Sequence, residues 1–327
     1  MEALLYGVGA AIAFGFGDYA AAMATRRVGV VRTSLGMQTI GLAAYAVALA
    51  ALGRWPTFEL QQLPYGLALS VVGMLSLAAL YRAFALGPIA VVSPVVASYA
   101  ALTVVLIVIF LGERLTSGQA IAIGVTFVGV VVASTDIREL RRTLGRPTTL
   151  APLANTLPLV ADTLPSVAEQ GPLPLGPPPL GPPPLGPLPL GVRIGFFATL
   201  GFAVWSAIFA VGVRATDGLG LIVLQRSFSV VLLTLFVVLR GISLRPLASR
   251  PAFGLVAATG VLDTGANVLL ALGIASGYAT FVMTGSGAYP LIPALLAISV
   301  LRERLAPNQY VGVAVLVAGL VALGLQS

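Results

Sequence analysis

Ten stretches of about twenty residues, each nearly free of charge, run through this chain: 4–25, 31–52, 66–86, 89–111, 117–134, 192–213, 219–239, 252–274, 279–301 and 309–325. About twenty apolar residues wound as α-helix cross the ~30 Å hydrocarbon core of a bilayer. In lipid every backbone N–H and C=O must find its partner inside the protein, which leaves a helical bundle as the fold. The chain therefore reads as an all-α integral membrane protein of ten transmembrane helices. Its charge agrees. Only 9% of the 327 residues are charged, against about 25% in a soluble domain, and a water-soluble fold so composed would expose large apolar patches. Met1-Glu2 leads into an apolar run that continues past Asp18, so the first stretch reads as a retained helix rather than a cleaved signal.

The ten stretches divide five and five. Residues 1–135 form a first repeat and residues 192–327 a second, separated by a segment at 136–191 that is charged at its start and then rich in Pro, Gly and Leu. Proline at that density excludes helix and sheet, and the segment reads as a disordered, extended spacer. A shift of 190 residues superposes Glu113-Arg114-Leu115 on Glu303-Arg304-Leu305, Gln119 on Gln309, Tyr99 on Tyr289 and Gly129 on Gly319. Five helices is an odd number, so the second copy enters the membrane from the opposite side. Such a 5+5 inverted repeat is the architecture that lets a carrier rock around a central site. Rows of small residues, Ala120/Gly124 and Ala314/Ala318/Ala322, are expected to form helix-packing seams.

Arginine supplies the orientation. The connections after the first, third, fifth, seventh and ninth helices hold thirteen of the 18 basic residues, and the other face holds Arg54, Arg114 and Arg214. The positive-inside rule makes the linker cytoplasmic and both termini external, in a plasma membrane. The formal charge of +7 is not a nucleic-acid footprint, because no basic stripe with interleaved aromatics accompanies it. Without His or Cys, Cys or His metal sites and thiol or imidazole catalysis are excluded. No nucleophile–base motif or phosphate-binding loop stands out, so the reading is of a protein that is not an enzyme and needs no cofactor.

Ionisable groups at membrane depth are costly and mark functional sites. Asp263 lies at the centre of the eighth stretch with Asn267 one turn later on the same face; Asp18 lies in the first, Arg226 in the seventh and Arg82 near the end of the third. With no His, Asp263 is the natural proton carrier, with Asn267 sharing a substrate's polar end; the competing reading is a structural Asp paired with Arg226. Asp18 faces the same cavity or a vestibule. Arg226 either holds an anionic substrate group through its fork of donors or neutralises one of the carboxylates. Arg82 is close enough to an end to snorkel. Among the aromatics at depth (Phe14, Phe16, Tyr81, Tyr99, Trp205, Tyr278, Phe281, Tyr289), Tyr99 and Tyr289 stand apart as repeat equivalents.

The sequence Leu86-Gly87-Pro88-Ile89-Ala90, then Ser98-Tyr99, then Leu111-Gly112-Glu113-Arg114-Leu115 and Gln119, resembles an EamA-like domain of the drug/metabolite transporter superfamily. A second copy runs through Tyr289-Pro290, Glu303-Arg304-Leu305 and Gln309. The chain departs from the pattern at Ala100 and at Arg302, where the family has proline and glycine. The resemblance implies a secondary carrier of small metabolites, amino acids or drugs, commonly an exporter, with both termini in the cytoplasm, the reverse of the arginine count. A passive facilitator or exchanger, and a lipid-linked-sugar flippase of similar fold, are the competing readings. Glu113, Arg114, Glu303 and Arg304 are expected to serve as structural turns and caps, with Thr116 and Gln119 closing a capping box and Pro307 opening the last helix. The expected partners are a small-molecule substrate, the lipid bilayer and protons.

Overall fold

A computed structural model describes residues 2–53, 55–86, 95–96, 98–135, 137, 190–289, 292 and 306–326. The described residues form ten α-helices and no strand. They are α1 (Glu2–Val28), α2 (Val30–Ala51), α3 (Gln62–Leu86), α4 (Tyr99–Leu111), α5 (Ser117–Ser134), α6 (Leu190–Ala215), α7 (Gly218–Leu239), α8 (Arg250–Ser276), α9 (Ala279–Ser286) and α10 (Pro307–Gly324). Seven of them are long and apolar enough to cross a membrane, and α4 and α5 are shorter apolar helices. The helices run a turn or so beyond the expected apolar stretches at several ends, because charged and capping residues extend a helix past its lipid-facing part. The start of the fourth expected span, the end of the ninth, most of the linker, Gly87-Pro88, and Glu303 with Arg304 lie outside the described residues.

Two short joins explain how neighbouring helices turn back so tightly. α1 and α2 are separated by Gly29 alone, whose φ of +84° lies where only glycine is comfortable. α4 ends on Gly112 in the left-handed conformation at φ +65°, and Thr116 and Gln119 then close the capping box that starts α5. In the second half Pro307 occupies the first turn of α10. Gln309 Oε1 accepts from the Ala306 N–H at 2.9 Å, which is half of that box, since Ala306 offers no side-chain acceptor.

Packing obeys the repeat. α1 lies along α8 as α3 lies along α6; α1 meets α9 as α4 meets α6; α2 meets α8 as α3 meets α7. The pairs α2–α7, α4–α9 and α5–α10 are each their own counterpart. Every major contact is thus carried into another by a five-helix shift, as a 5+5 inverted repeat requires.

The α5–α10 seam shows the symmetry at atomic scale. A Cβ on Gly129 would stand 2.3 Å from Leu316 N, and one on Gly319 would stand 2.6 Å from Thr126 N; Leu316 and Thr126 are themselves 190 residues apart. Gly312 presses on Ala133 N, where a Cβ would meet it at 2.2 Å. The helices run antiparallel, with Gln119 Nε2 donating to Gln326 O at 3.0 Å and Gln309 Nε2 to Ala133 O at 3.2 Å. The expected rows Ala120/Gly124 and Ala314/Ala318 are instead on exposed faces. Small size alone does not say which side of a helix is covered; the inward stripe is the one holding Thr126, Gly129, Gly312 and Gly319.

Gly312→Ala should overpack the seam and cost about 1–3 kcal/mol, read as earlier thermal unfolding of the purified protein in detergent. Gly124→Ala, where an added Cβ meets nothing within 4 Å, should leave the unfolding temperature unchanged or slightly higher.

Candidate functional site

A polar cluster lies where α2, α7 and α8 converge. Gly41 on α2 and Gly260 on α8 bring these helices close enough that a Cβ on Gly260 would meet Met37 O at 2.7 Å. A Cβ on Gly41 would meet Arg226 Nη1 at 2.8 Å, so the gap between the two helices receives the guanidinium of α7. The Ser70 hydroxyl on α3 donates to Gln225 O at 2.6 Å and ties α7 at this level. Arg226 is completely enclosed. Its Nη2 donates to Asp263 Oδ2 at 2.5 Å and its Nη1 to Gln38 Oε1 at 2.8 Å, while its Nε has no hydrogen-bond partner among the described residues. Asn267 Nδ2 donates to Asp263 O at 2.8 Å and lies 3.4 Å from Asp263 Oδ2. A guanidinium enclosed in a bundle must be paired, because the charge cannot be left desolvated and alone. Of the sequence alternatives for Arg226, pairing with Asp263 is the one the geometry has. Gln38 was missing from the sequence candidates. A glutamine in the middle of an apolar helix is the signal that would have found it.

Asp18 is placed differently. It is exposed, yet it does not lie on the outward face of α1. Leu5, Ile12 and Phe16 form that face, and at 100° per residue Asp18 stands about 200° around from Phe16. Gly7 and Ala11 share its side; Gly7 abuts the backbone of Val282, and Ala11 packs with Ala288, Tyr289 and Leu316. The exposure of Asp18 is therefore to a hollow inside the bundle. Its neighbour Gly17 packs on Leu262 and the Asp263 backbone, and Asp18 is within electrostatic reach of Asp263, Tyr99 and Tyr289. No hydrogen bond or ion pair engages its carboxylate among the described residues.

Tyr99 and Tyr289, the repeat-equivalent aromatics, meet each other with ring centroids 6.2 Å apart and planes tilted by 50°. Tyr99 also meets Phe202 of α6 at 5.8 Å. Other aromatics serve packing: Trp205 stacks on Phe209 at 5.3 Å, Tyr278 meets Phe281 and Phe16 faces outward. Arg82 is exposed near the end of α3, and the side chain of Tyr81 lies outside the described set.

Glu113 does more than turn its own loop. Its two carboxylate oxygens accept from the N–H groups of Ala279 at 2.7 Å and Thr280 at 3.0 Å, so it caps the start of α9 in the other half. Its cation is not the adjacent Arg114, which is exposed, but Arg214 at 3.2 Å, which also donates to Gly277 O. A cleft of about 600 Å³ opens beside this knot, lined by Glu113, Arg114, Arg214 and Tyr278 among others. Sequence spacing suggested that Glu and Arg of one turn would sit together; a helix start from another loop offered the carboxylate better donors.

Residues 1–135 match the EamA-like transporter family. The match covers the first five-helix half, which is thus similar to a family of membrane transporters. A solved crystal structure of a protein is similar over 99% of this chain and 99% of its own, with a TM-score of 0.68 and 16% sequence identity, which is a likeness of fold. No curated protein matches the sequence.

Removing one partner of the enclosed ion pair should be expensive. Arg226→Met or Asp263→Leu alone should destabilise the purified protein by about 3–5 kcal/mol. The double variant should recover most of the loss, because neither charge is then left unpaired; thermal unfolding of the three variants checks this.

Proposed function

We propose that this protein is a secondary transporter that exports a small, partly apolar metabolite by alternating access, in exchange for protons. The observation that carries the reading is the unpaired carboxylate of Asp18 facing a hollow inside the bundle, next to the polar cluster of α2, α7 and α8. The packing exchange between residues 1–135 and 192–327 supports a rocking motion of two inverted repeats around that hollow. The segment 136–191 serves as the spacer between them.

Coupling needs a group that gains and loses a proton as the hollow changes sides. Asp263 is committed to Arg226 and Asn267, so the role passes to Asp18. The groups facing Asp18 are Asp263 on α8, with Arg226 of α7 behind it, and the phenols of Tyr99 and Tyr289. Residues 279–286 of α9 contribute no ionisable group, and α2 contributes only Arg32 and Tyr45, of which Arg32 reaches away to Ser243 O. Proton and substrate would then share one carboxylate, which is sufficient for exchange. Asp263, Arg226, Asn267 and Gln38 hold the floor of the site, and Tyr99 and Tyr289 form its aromatic wall. The arginine bias sets the linker in the cytoplasm and the termini outside.

The test is uptake from a pooled metabolite panel into proteoliposomes with and without an imposed pH gradient. Asp18→Asn should lower gradient-driven accumulation at least tenfold while the variant remains folded by its unfolding profile. Undiminished accumulation by Asp18→Asn would remove that residue from coupling, and equilibration that ignores the gradient would replace the exchanger with a facilitator.

A further inference from the structure

We propose that the group recognised in this hollow is a cation, namely a protonated or quaternary amine carried on an apolar or aromatic body. This rests on the carrier reading above and names the substrate class of the same site.

The charges favour a cation. Asp263 and Arg226 cancel as a direct ion pair. Asp18 then leaves the hollow with one net negative charge and, among the described residues, no cation to meet it. The chain has no Lys or His at all, and the other described arginines with polar contacts are engaged elsewhere, Arg32 with Ser243 O and Val28 O and Arg214 with Glu113 and Gly277 O. A carboxylate in apolar surroundings gains most from a ligand that brings the missing positive charge.

The hydrogen-bonding groups point the same way. Arg226 would be the residue to hold a carboxylate or phosphate, but it is fully enclosed and its two outer nitrogens are committed to Gln38 and Asp263. Its Nε also lacks a partner among the described residues but is enclosed with the rest of the guanidinium, and what is left over beside it is acceptor capacity. Asn267 is 5% exposed, its amide N–H₂ is spent on Asp263, and its Oδ1 has no donor among the described residues. A protonated amine supplies donors to both a carboxylate and an amide oxygen, whereas a quaternary cation meets the carboxylate through its charge alone. The aromatic wall adds a third contribution, since Tyr99 and Tyr289, in contact with each other and within electrostatic reach of Asp18, are rings on which a cation can lie.

Binding to the purified full-length protein in detergent tests this without requiring transport. The probes are phenethylamine and tetraphenylphosphonium as cations, N-acetylphenethylamine as the neutral counterpart and phenylacetate as the anion. Both cations should bind, at least tenfold more weakly to Asp18→Asn, and more weakly as falling pH lets protons compete for Asp18; the neutral and anionic probes should not compete. Failure of both cations to bind at millimolar concentration, equal binding of phenylacetate, or cation binding indifferent to Asp18→Asn would each overturn the proposal.

Should Asp18→Asn fail to fold, the cysteine-free sequence allows a second reading of the same charge. Phe14→Cys, about 40° from Asp18 on α1, should react faster with a trimethylammonium-bearing methanethiosulfonate than with a sulfonate-bearing one, relative to a free thiol. Equal relative rates would contradict a net negative hollow. Gradient-driven uptake confined to anionic compounds would overturn the cation assignment and leave the exchanger standing, whereas cation binding with no transport would do the reverse.

Discussion

The ion pair between Arg226 and Asp263 organises the middle of this protein. A guanidinium with no exposure inside a membrane bundle is tolerable only if its charge and its donors are met. One carboxylate and one amide oxygen meet them here, from two different helices. The pair also dictates backbone placement. Gly41 leaves room for the guanidinium, and Gly260 lets α8 close on α2 beside it. With Asp263 occupied, the second carboxylate at this depth, Asp18, is left to face the hollow, and the functional reading follows from that division of labour.

The scaffold is symmetric and its lining is not. Residues on the axis of the repeat pair with their own equivalents, as Tyr99 with Tyr289, or exchange contacts, as Gly129 on Leu316 and Gly319 on Thr126. Symmetry of packing gives a bundle two similar halves to move against each other. None of Asp18, Arg226 or Asp263 has a charged counterpart under the 190-residue shift, so the two halves share a packing scheme but not these charges. The Glu113 knot is intermediate: it is part of a repeated motif, yet its described partners, Arg214 and the start of α9, are long-range.

How much of this was legible in the sequence depends on the range of the physics involved. Hydropathy and length are local, and the ten helices were readable from them, including α5 at 117–134 to the residue. Repeat register is nearly local, and it marks Tyr99, Tyr289, Gly129 and Gly319, which lie at contacts between the halves. Which face of a helix is covered is not readable, because Ala and Gly occur on every side of these helices; Ala120 and Gly124 have the spacing of a seam and face outward. Nor is the choice of partner. Arg226 had two carboxylates within plausible reach and Glu113 had an arginine beside it, and in both cases the decision belongs to helices brought together from far along the chain. Gln38 has no charge and no ionisable residue one turn away on its own helix to mark it, as Asp263 marks Asn267, although an amide left without a partner is also costly in lipid.

The most direct test of the account is to ask which carboxyl changes protonation. Infrared difference spectra of the reconstituted protein between high and low pH report a carboxyl C=O stretch when a buried acid gains a proton. The account predicts a band that vanishes in Asp18→Asn and persists in Asp263→Asn, since Arg226 holds Asp263 as its ion-pair partner. A band that persists in Asp18→Asn and vanishes in Asp263→Asn would contradict it and return the coupling role to α8.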